Sequence, residues 1–379
     1  MIWIGTRKIK LGILNLLQKE EMKVLITGGA GFIGSNVSIE AIKRGHQVIA
    51  FDNLWRPEVS KNLELMQKTY KDKYQFVWGD VRNKEDFEAL PKVDAIIHFA
   101  ANPEAITAVY YPVYDFRSNA VGTFNVLEFA RKRNIPFIYA STTKTMSDII
   151  NEWPIKETKT RFELETVDKA PDWLKELLLQ GLTVEGGKVL AINDKFPVDG
   201  FGKWGHSPYG ISKLTGELYT QEFHVTFGLP VVIFRMSCIY GLWQKGIEEQ
   251  GWVAWFLKQM MGGNRKINIF GNGKQVRDIL DGRDVARAYL NALETISKVN
   301  GQIFTIGGGR KFNYSLLEVI AEIEKVTGKK AELTFEKKRP ADQDWYVSCN
   351  KKAKELLNWE PEIGLGRALE DMKKQHEQR

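Results

Sequence analysis

The chain has 379 residues, 43% hydrophobic and 27% charged, the proportions of an ordinary globular protein with room for one large domain or two intimate ones. Its 54 basic and 47 acidic residues leave a formal charge of +7, but the two signs are interleaved along the chain, which excludes nucleic acid as the main partner. No apolar run approaches the ~18 residues that span a bilayer, so no membrane partner is expected. The two cysteines (Cys238 and Cys349) and five scattered histidines have no metal-ligand spacing, so the expectation is a reducing cytoplasm and no metal.

Residues 1–21 read as an N-terminal extension without a small-residue cleavage site, ahead of Met22. Lys23-Val-Leu-Ile-Thr27 is a β-branched run that predicts a buried parallel strand. It leads into Gly28-Gly29-Ala30-Gly31-Phe32-Ile33-Gly34 and a helical pattern that stops at Gly45. Gly-x-x-Gly-x-x-Gly between a strand and a helix lets bare backbone and a helix N-terminus approach a diphosphate. A second strand, Gln47–Phe51, ends in Asp52 at the distance the dinucleotide fingerprint requires. A carboxylate there accepts from a ribose 2′-hydroxyl and repels a 2′-phosphate. The turn is therefore expected to bind NAD rather than NADP.

Further strands are expected at Tyr74–Trp78, before Gly79-Asp80-Val81, and at Asp94–Phe99, before Ala100-Ala101-Asn102. A helix is expected over Asn119–Arg133 and a fifth strand over Ile135–Tyr139. That strand delivers Ala140-Ser141-Thr142-Thr143-Lys144 to the carboxyl-end edge, where open α/β sheets bind ligands. A hydroxyl there would either bond a sugar oxygen or cap a turn. Residues 151–205 break the alternation, with a helical piece at Asp172–Gln180 and a Gly186-Gly187 turn. So long a stretch suggests a lid or an oligomer contact.

In His206-Ser-Pro-Tyr-Gly-Ile-Ser-Lys213, Ser207 is a helix cap and Pro208 suits the first helical position. Tyr209 and Lys213 then share one helix face. A phenol titrates near pH 10, and a neighbouring ammonium with the positive helix end would favour the phenolate. Such a pair moves a proton to or from an alcohol, although Tyr-x-x-x-Lys also occurs in helices where it only packs. Leu229–Arg235 is a sixth strand. Beyond Gly241 come a helix from Gln250, a strand at Ile267–Phe270, and a turn from Gly271 to Asp278 carrying Arg277. Helices are expected at Asp284–Ser297, Ser315–Thr327 and near the C-terminus, with short strands at Gln302–Ile306 and Glu332–Phe335. The expected fold is α/β: a Rossmann-type doubly wound parallel sheet over 22–240, with a 151–205 insert. A smaller C-terminal α+β substrate lobe over 241–379 completes it, with room for some of its chain to return to the sheet.

From Met22 onward, Gly28-x-x-Gly31-x-x-Gly34, Asp52, Gly79-Asp80, Asn119-x-x-Gly-Thr-x-Asn-x-Leu-Glu, Tyr209-x-x-x-Lys213 and Gly271-Asn-Gly-x-x-x-Arg277-Asp278 resemble the extended short-chain dehydrogenase/reductase family. The resemblance is to its nucleotide-sugar-modifying branch. Ser141-Thr142-x-Lys144, His206-Ser-Pro-Tyr-Gly, Gln250-Gly-Trp-Val-x-Trp-Phe and Asp342-Gln343 after Arg339-Pro340 resemble the members that invert C2 of a CDP-sugar. The resemblance implies a tightly held NAD, a nucleotide-diphosphate sugar with CDP favoured, and a homodimer or larger assembly. Tyr209 would be the acid/base, Lys213 would bond the nicotinamide ribose, and Thr142 would bond the reacting hydroxyl. Gly28, Gly31, Phe32, Ile33, Gly34, Asp52, Asn53, Asp80, Val81, Phe99, Ala100, Ala101, Asn119 and Ser141 fall at cofactor positions. Arg277 and Arg339 would clamp the diphosphate. Thr143, Lys144, His206, Gln250, Gly251, Trp252, Val253, Phe270, Asp342 and Gln343 would lie near the nucleotide and its sugar.

The sequence departs from the family in two places: Thr145-Met146-Ser147 stands where Val-Tyr-Gly is usual, and the insert is longer. A 4,6-dehydratase would need an Asp-Glu pair after Thr142, where Thr143-Lys144 stands. A 4-epimerase would use the same triad and is the enzymatic rival. An NAD-sensing module without turnover is the non-enzymatic one.

Overall fold

The computed structural model describes residues 21–199, 206–248, 250–339 and 342–378, so the N-terminal extension up to residue 20 and Pro340 lie outside the described residues. Seven parallel strands form the central sheet: β1 (Lys23–Thr27), β2 (Gln47–Asp52), β3 (Tyr74–Trp78), β4 (Ala95–His98), β5 (Phe137–Thr142), β6 (Val231–Met236) and β7 (Gln302–Ile306). Their order is β7-β6-β5-β4-β1-β2-β3. The order reverses between β4 and β1, which opens a crevice beyond the carboxyl ends of those strands. Most central strands read as unbroken apolar runs because helices cover both faces. Helices Phe32–Lys43 and Gly282–Glu294 close one face over Val24, Ile26, Val285 and Tyr289. Helices Gly122–Arg133 and Pro208–Phe227 close the other over Leu25, Ile96, Phe137 and Phe223.

The strand at Gln302–Ile306, expected in the small lobe, is the sheet edge. Phe304 pairs with Phe234 of β6, with ring centroids 5.5 Å apart. The small lobe itself has a four-stranded sheet of Cys238–Tyr240, Val276–Asp281, Asn313–Ser315 and Trp345–Tyr346. Beside it lies a parallel pair, Lys266–Phe270 with Glu332–Glu336. Helices Trp252–Met261, Leu316–Thr327 and Leu365–Glu377 bury Phe256, Ile279, Ile323 and Leu369 against these strands. Arg277 sits on a strand rather than in the expected turn. Only Gly271 to Gln275 remain outside the strands, and Gly271 and Gly273 take the positive φ values that the turn requires.

The insert forms two hairpins, Ile155–Glu157 with Phe162–Leu164 and Leu182–Glu185 with Lys188–Ile192, around the helix Asp172–Leu178. Its own apolar cluster (Trp153, Leu174, Leu178, Phe196) packs on Val276 and Tyr346 of the small lobe. Backbone bonds fasten it there: Phe162 N donates to Lys274 O at 2.8 Å and Ile192 N to Val347 O at 2.7 Å. None of its described residues lines the crevice at the β4–β1 reversal.

Candidate active site

The crevice is an open cleft of about 1310 Å³, mouth included. At its floor β1 turns into the helix Phe32–Lys43. Gly28 has φ +70°, and a Cβ there would stand 2.8 Å from Ala100 N; at Gly34 a Cβ would stand 2.2 Å from Gly28 O. Only glycine lets these three segments meet. No side chain caps the helix at Gly31, which leaves its first-turn N–H groups for an anion. At the end of β2, Asp52 Oδ2 accepts from Ala30 N at 3.2 Å and Oδ1 from Leu54 N at 2.9 Å. Burial raises this carboxyl above its usual range despite those donors. The uncapped turn beside a cleft-facing carboxylate fits the diphosphate and ribose of NAD.

The cleft wall carries Gly28, Gly31, Phe32, Ile33, Gly34, Asp52, Asn53, Asp80, Val81, Phe99, Ala100, Ala101, Ser141, Tyr209 and Lys213. Asn119 is not on it. Asn119 is fully buried, accepting from Asn102 N at 2.8 Å and donating to Asn102 O, Asp115 Oδ1 and Ser212 Oγ. An amide so fully bonded within the protein buttresses the wall instead of reaching into the cleft. Asp80 is held by Arg82 through bonds of 2.5–3.0 Å and by Asn53 at 2.9 Å. Burial raises the Asp80 carboxyl, but these bonds carry it below its usual range.

Several lining residues carried no sequence signal. Exposed Trp55 and half-buried Tyr114 form an aromatic rim, with centroids 5.7 Å apart and Arg82 over Tyr114 at 5.2 Å. Arg56 ties the cleft's two sides, bonding Gln250 Oε1 at 3.0 Å and Glu104 at 3.2 Å. Trp243 lines the wall with φ +74°, a left-handed value rare for a bulky residue. It is held by Gln375 Oε1 at its N–H and by Asn62 Nδ2 at its carbonyl. Tyr114 lies on the five-residue helix Pro112–Phe116, too short to show a period, and Trp55, Arg56 and Trp243 sit outside helices and strands.

At the other end stand Thr142, Tyr209 and Lys213. Ser207 Oγ caps its helix by accepting from Gly210 N at 3.2 Å, and Pro208 is the first helical residue, as expected. Tyr209 is half-buried and hydrogen-bonded to the Thr142 hydroxyl at the end of β5. Lys213 is buried, with its ammonium 4.4 Å from the Tyr139 ring centroid. The expected lowering of the phenol pKa does not occur. Burial pushes Tyr209 up to about 12, against the Thr142 bond and with Asp115 adding to the rise. Burial also pushes Lys213 down to about 7, opposed by Asp115 and Glu217. In this enclosed site desolvation of each charged form outweighs the attraction between neighbours.

Of the residues expected around substrate, Gln250 lines the cleft and Thr142 meets Tyr209; Gly251, with φ +78°, starts the Trp252 helix. A second cluster holds most of the rest. Arg277 bonds Asp342 Oδ1 and Gln343 O, each at 2.5 Å, and Lys144 faces both Asp342 and Arg277. Burial raises the Asp342 carboxyl, but Arg277 and Lys144 bring it below the usual range. Burial lowers the Lys144 ammonium. Trp252 Nε1 donates to Cys238 Sγ at 3.0 Å, and Arg339 lies 3.8 Å over the Phe270 ring. His206 Nε2 bonds Thr145 O at 2.9 Å. Thr143 and Gln343 are buried, and Val253 is a core residue of the small lobe, which accounts for its side chain by packing alone.

The sequence matches the NAD dependent epimerase/dehydratase family over residues 24–166 and 202–307, the break falling inside the insert. It is 34% identical over 360 residues to the CDP-paratose 2-epimerase of Salmonella typhi, which covers 93% of this chain and 98% of that one. It is 30% identical over 345 residues to a putative UDP-glucose 4-epimerase of Methanocaldococcus jannaschii, covering 90% and 94%. The crystal structure of UDP-glucuronic acid 4-epimerase from Bacillus cereus, in complex with UDP-glucuronic acid and NAD, is similar with a TM-score of 0.72. Its identity is 25%, over 94% of this chain and 99% of that one. By matched length, by relatives across nearly the whole chain and by this seven-stranded fold, the chain belongs to the NAD dependent epimerase/dehydratase family of extended short-chain dehydrogenases/reductases, NAD-using enzymes of nucleotide-sugar chemistry.

Proposed function

We propose that this enzyme inverts C2 of a CDP-sugar, of the CDP-paratose/CDP-tyvelose type or the CDP-glucose/CDP-mannose type, through a transient 2-keto sugar. The observation that carries the reading is the pair of residues immediately after Thr142. Where an elimination would need an Asp-Glu pair stand Thr143 and Lys144, and Lys144 is turned toward Arg277 and Asp342. The substitution removes the acid and base that dehydration needs and leaves those of an epimerase. The name of the Salmonella typhi relative supports CDP and C2.

When bound, NAD, held by the glycine turn, Asp52 and Lys213, would supply the hydride chemistry at the ring carbon. Tyr209 accepts the proton of the reacting hydroxyl and later gives it back, a transfer worth typically 10²–10⁴-fold. The Thr142 hydroxyl orients that oxygen, and Lys213 holds the nicotinamide ribose. Arg277, fixed by Asp342, and Arg339, laid over Phe270, offer guanidinium groups to the diphosphate. Chain before about residue 240 serves NAD in this reading, and most of the chain after it serves the sugar nucleotide.

We also infer a homodimer. Val109, Tyr110, Val113 and Phe116 are exposed beside Ile211, Leu218, Tyr219 and Val225 of the Tyr209 helix, more apolar surface than a monomer usually shows. No helix among the described residues is long and apolar enough to cross a membrane. A cytoplasmic enzyme is the reading that suits its two unpaired cysteines.

A UDP-sugar 4-epimerase is the second reading, favoured by the Methanocaldococcus jannaschii relative, because the same residues serve any hydroxyl presented to them. The test is a panel of CDP-, UDP- and GDP-hexoses with NAD in deuterated water, the products resolved by NMR. Inversion at C2 of a CDP-sugar without solvent deuterium is expected. Inversion at C4 of a UDP-sugar would establish the rival, and inversion of nothing would overturn both.

A further inference from the structure

Asp115 takes no part in the proposed chemistry, yet it is a carboxylate almost wholly removed from water, 1% exposed on the short helix Pro112–Phe116. Its Oδ1 accepts from Asn102 Nδ2 at 2.8 Å and from Asn119 Nδ2 at 2.9 Å. Its Oδ2 is buried with no hydrogen-bond donor among the described residues. The Ser212 hydroxyl, 3.0 Å from Tyr209 O, also lies beside this carboxyl and lowers its pKa. Burial raises the Asp115 carboxyl above its usual range, while its hydrogen bonds and the charge of Lys213 oppose the rise and favour the carboxylate.

The charge that faces it is Lys213. Around that ammonium stand Asp115 and Glu217, the ring of Tyr139, and His98. His98 is bonded to Thr27 at 2.6 Å and Thr123 at 3.0 Å, and burial keeps it neutral. Glu217 already has its own cation, Arg235, at 3.0 and 3.2 Å from Nε, and it accepts from Ser141 Oγ at 2.8 Å. Among the described residues, Asp115 is thus the carboxylate facing Lys213 that no arginine or second lysine neutralises.

We propose that Asp115 is the counter-charge of Lys213, a positioning residue that sets the pH range over which the Tyr209–Lys213 pair passes protons. This rests on the acid/base reading of Tyr209. A fixed negative charge favours the ammonium of Lys213 and disfavours the phenolate of Tyr209. Each group therefore keeps its proton to a higher pH than it would without Asp115. Even with that help Lys213 is pushed down to about 7. Loss of the carboxylate would leave the lysine neutral in neutral solution. The two effects have the same sign, so the charge moves the whole activity window and does not merely narrow it.

Asp115→Asn in the NAD-loaded enzyme tests this. Its Oδ1 can still receive Asn102 and Asn119, and its NH2 group falls where Oδ2 lacked a donor, so the fold is expected to stand. Both limbs of the pH–rate profile should move to lower pH by about one unit, and Asp115→Glu should return them. Independently of turnover, the NMR titration of the Lys213 Cε signal, assigned with Lys213→Met, should fall by a similar interval. Equal loss of rate at every pH, with limbs and lysine titration unmoved, would overturn the proposal and leave Asp115 a packing residue. If the native enzyme inverts no sugar, the functional reading fails, while the lysine titration still decides the role of Asp115.

Discussion

Tyr209 and Lys213 are one helical turn apart, and the cleft moves each toward its neutral form. Tyr209→Phe removes the proton-carrying oxygen while leaving the ring in place. It should keep NAD, read by absorbance of the purified protein, and lose turnover by about 10²–10⁴-fold. Lys213 carries a stability consequence as well. Unfolded, it holds its proton to near pH 10.4; folded without cofactor, burial moves it to about 7. Between those values the unfolded chain binds the extra proton, so stability rises with pH there, by up to about 1.4 kcal/mol per unit. Urea denaturation of the cofactor-free protein at several pH values should show that slope flattened in Lys213→Met. The residues of this pair were legible in the sequence because fixed helical spacing joins them, and the glycines of the turn because close backbone approach demands them. Trp55, Arg56 and Lys245 were not, since they meet the cleft from loops, and Tyr114 was not, since it stands on a five-residue helix too short to show a period. Asn119 was placed in the cleft because a motif gives position along a helix, not which side of the wall the side chain faces.

At the scale of elements, one side chain of the insert reaches the segment of the small lobe that holds Arg277. Asn151 Nδ2 donates to Asp342 O at 3.2 Å, and Asn151 Oδ1 accepts from Asp344 N at 2.9 Å. The segment it pins holds Arg277 through Asp342 and Gln343. Asn151→Ala should loosen that segment at a stability cost of about 1–3 kcal/mol, from leaving buried groups unsatisfied. Steady-state kinetics should show a raised KM for the sugar nucleotide with NAD affinity unchanged, whereas a loss of NAD would contradict it. Most strands and helices were readable from period and punctuation. The membership of β7 was not, because alternation in Gln302–Ile306 shows that a strand forms and not which edge it joins. The sheet is chosen by tertiary packing, here Phe304 against Phe234.

For the whole molecule, the apolar face shared by helices Ala105–Tyr110, Pro112–Phe116 and Pro208–Phe227 makes a prediction about assembly. Val113 and Leu218 are 71% and 53% exposed, an unfavourable state for both if nothing covers them. Val113→Asp with Leu218→Glu should convert a sedimenting dimer to monomer, and an unchanged sedimentation coefficient would place the contact elsewhere.

The path of the chain between lobes has a mechanical result. After β6 it enters the small lobe and returns as the helix Gly282–Glu294 and β7. It leaves again through Asn313–Ser315, and comes back to pack Ala353 and Trp359 on the sheet before ending in Leu365–Glu377. A hinge would have to bend all these covalent crossings together, with Arg56–Gln250 spanning the mouth. Such stitching resists jaw-like opening. In the proposed epimerisation, a sugar that must show both faces to one nicotinamide would therefore have to swivel about its own bonds to the diphosphate, inside walls that keep their spacing.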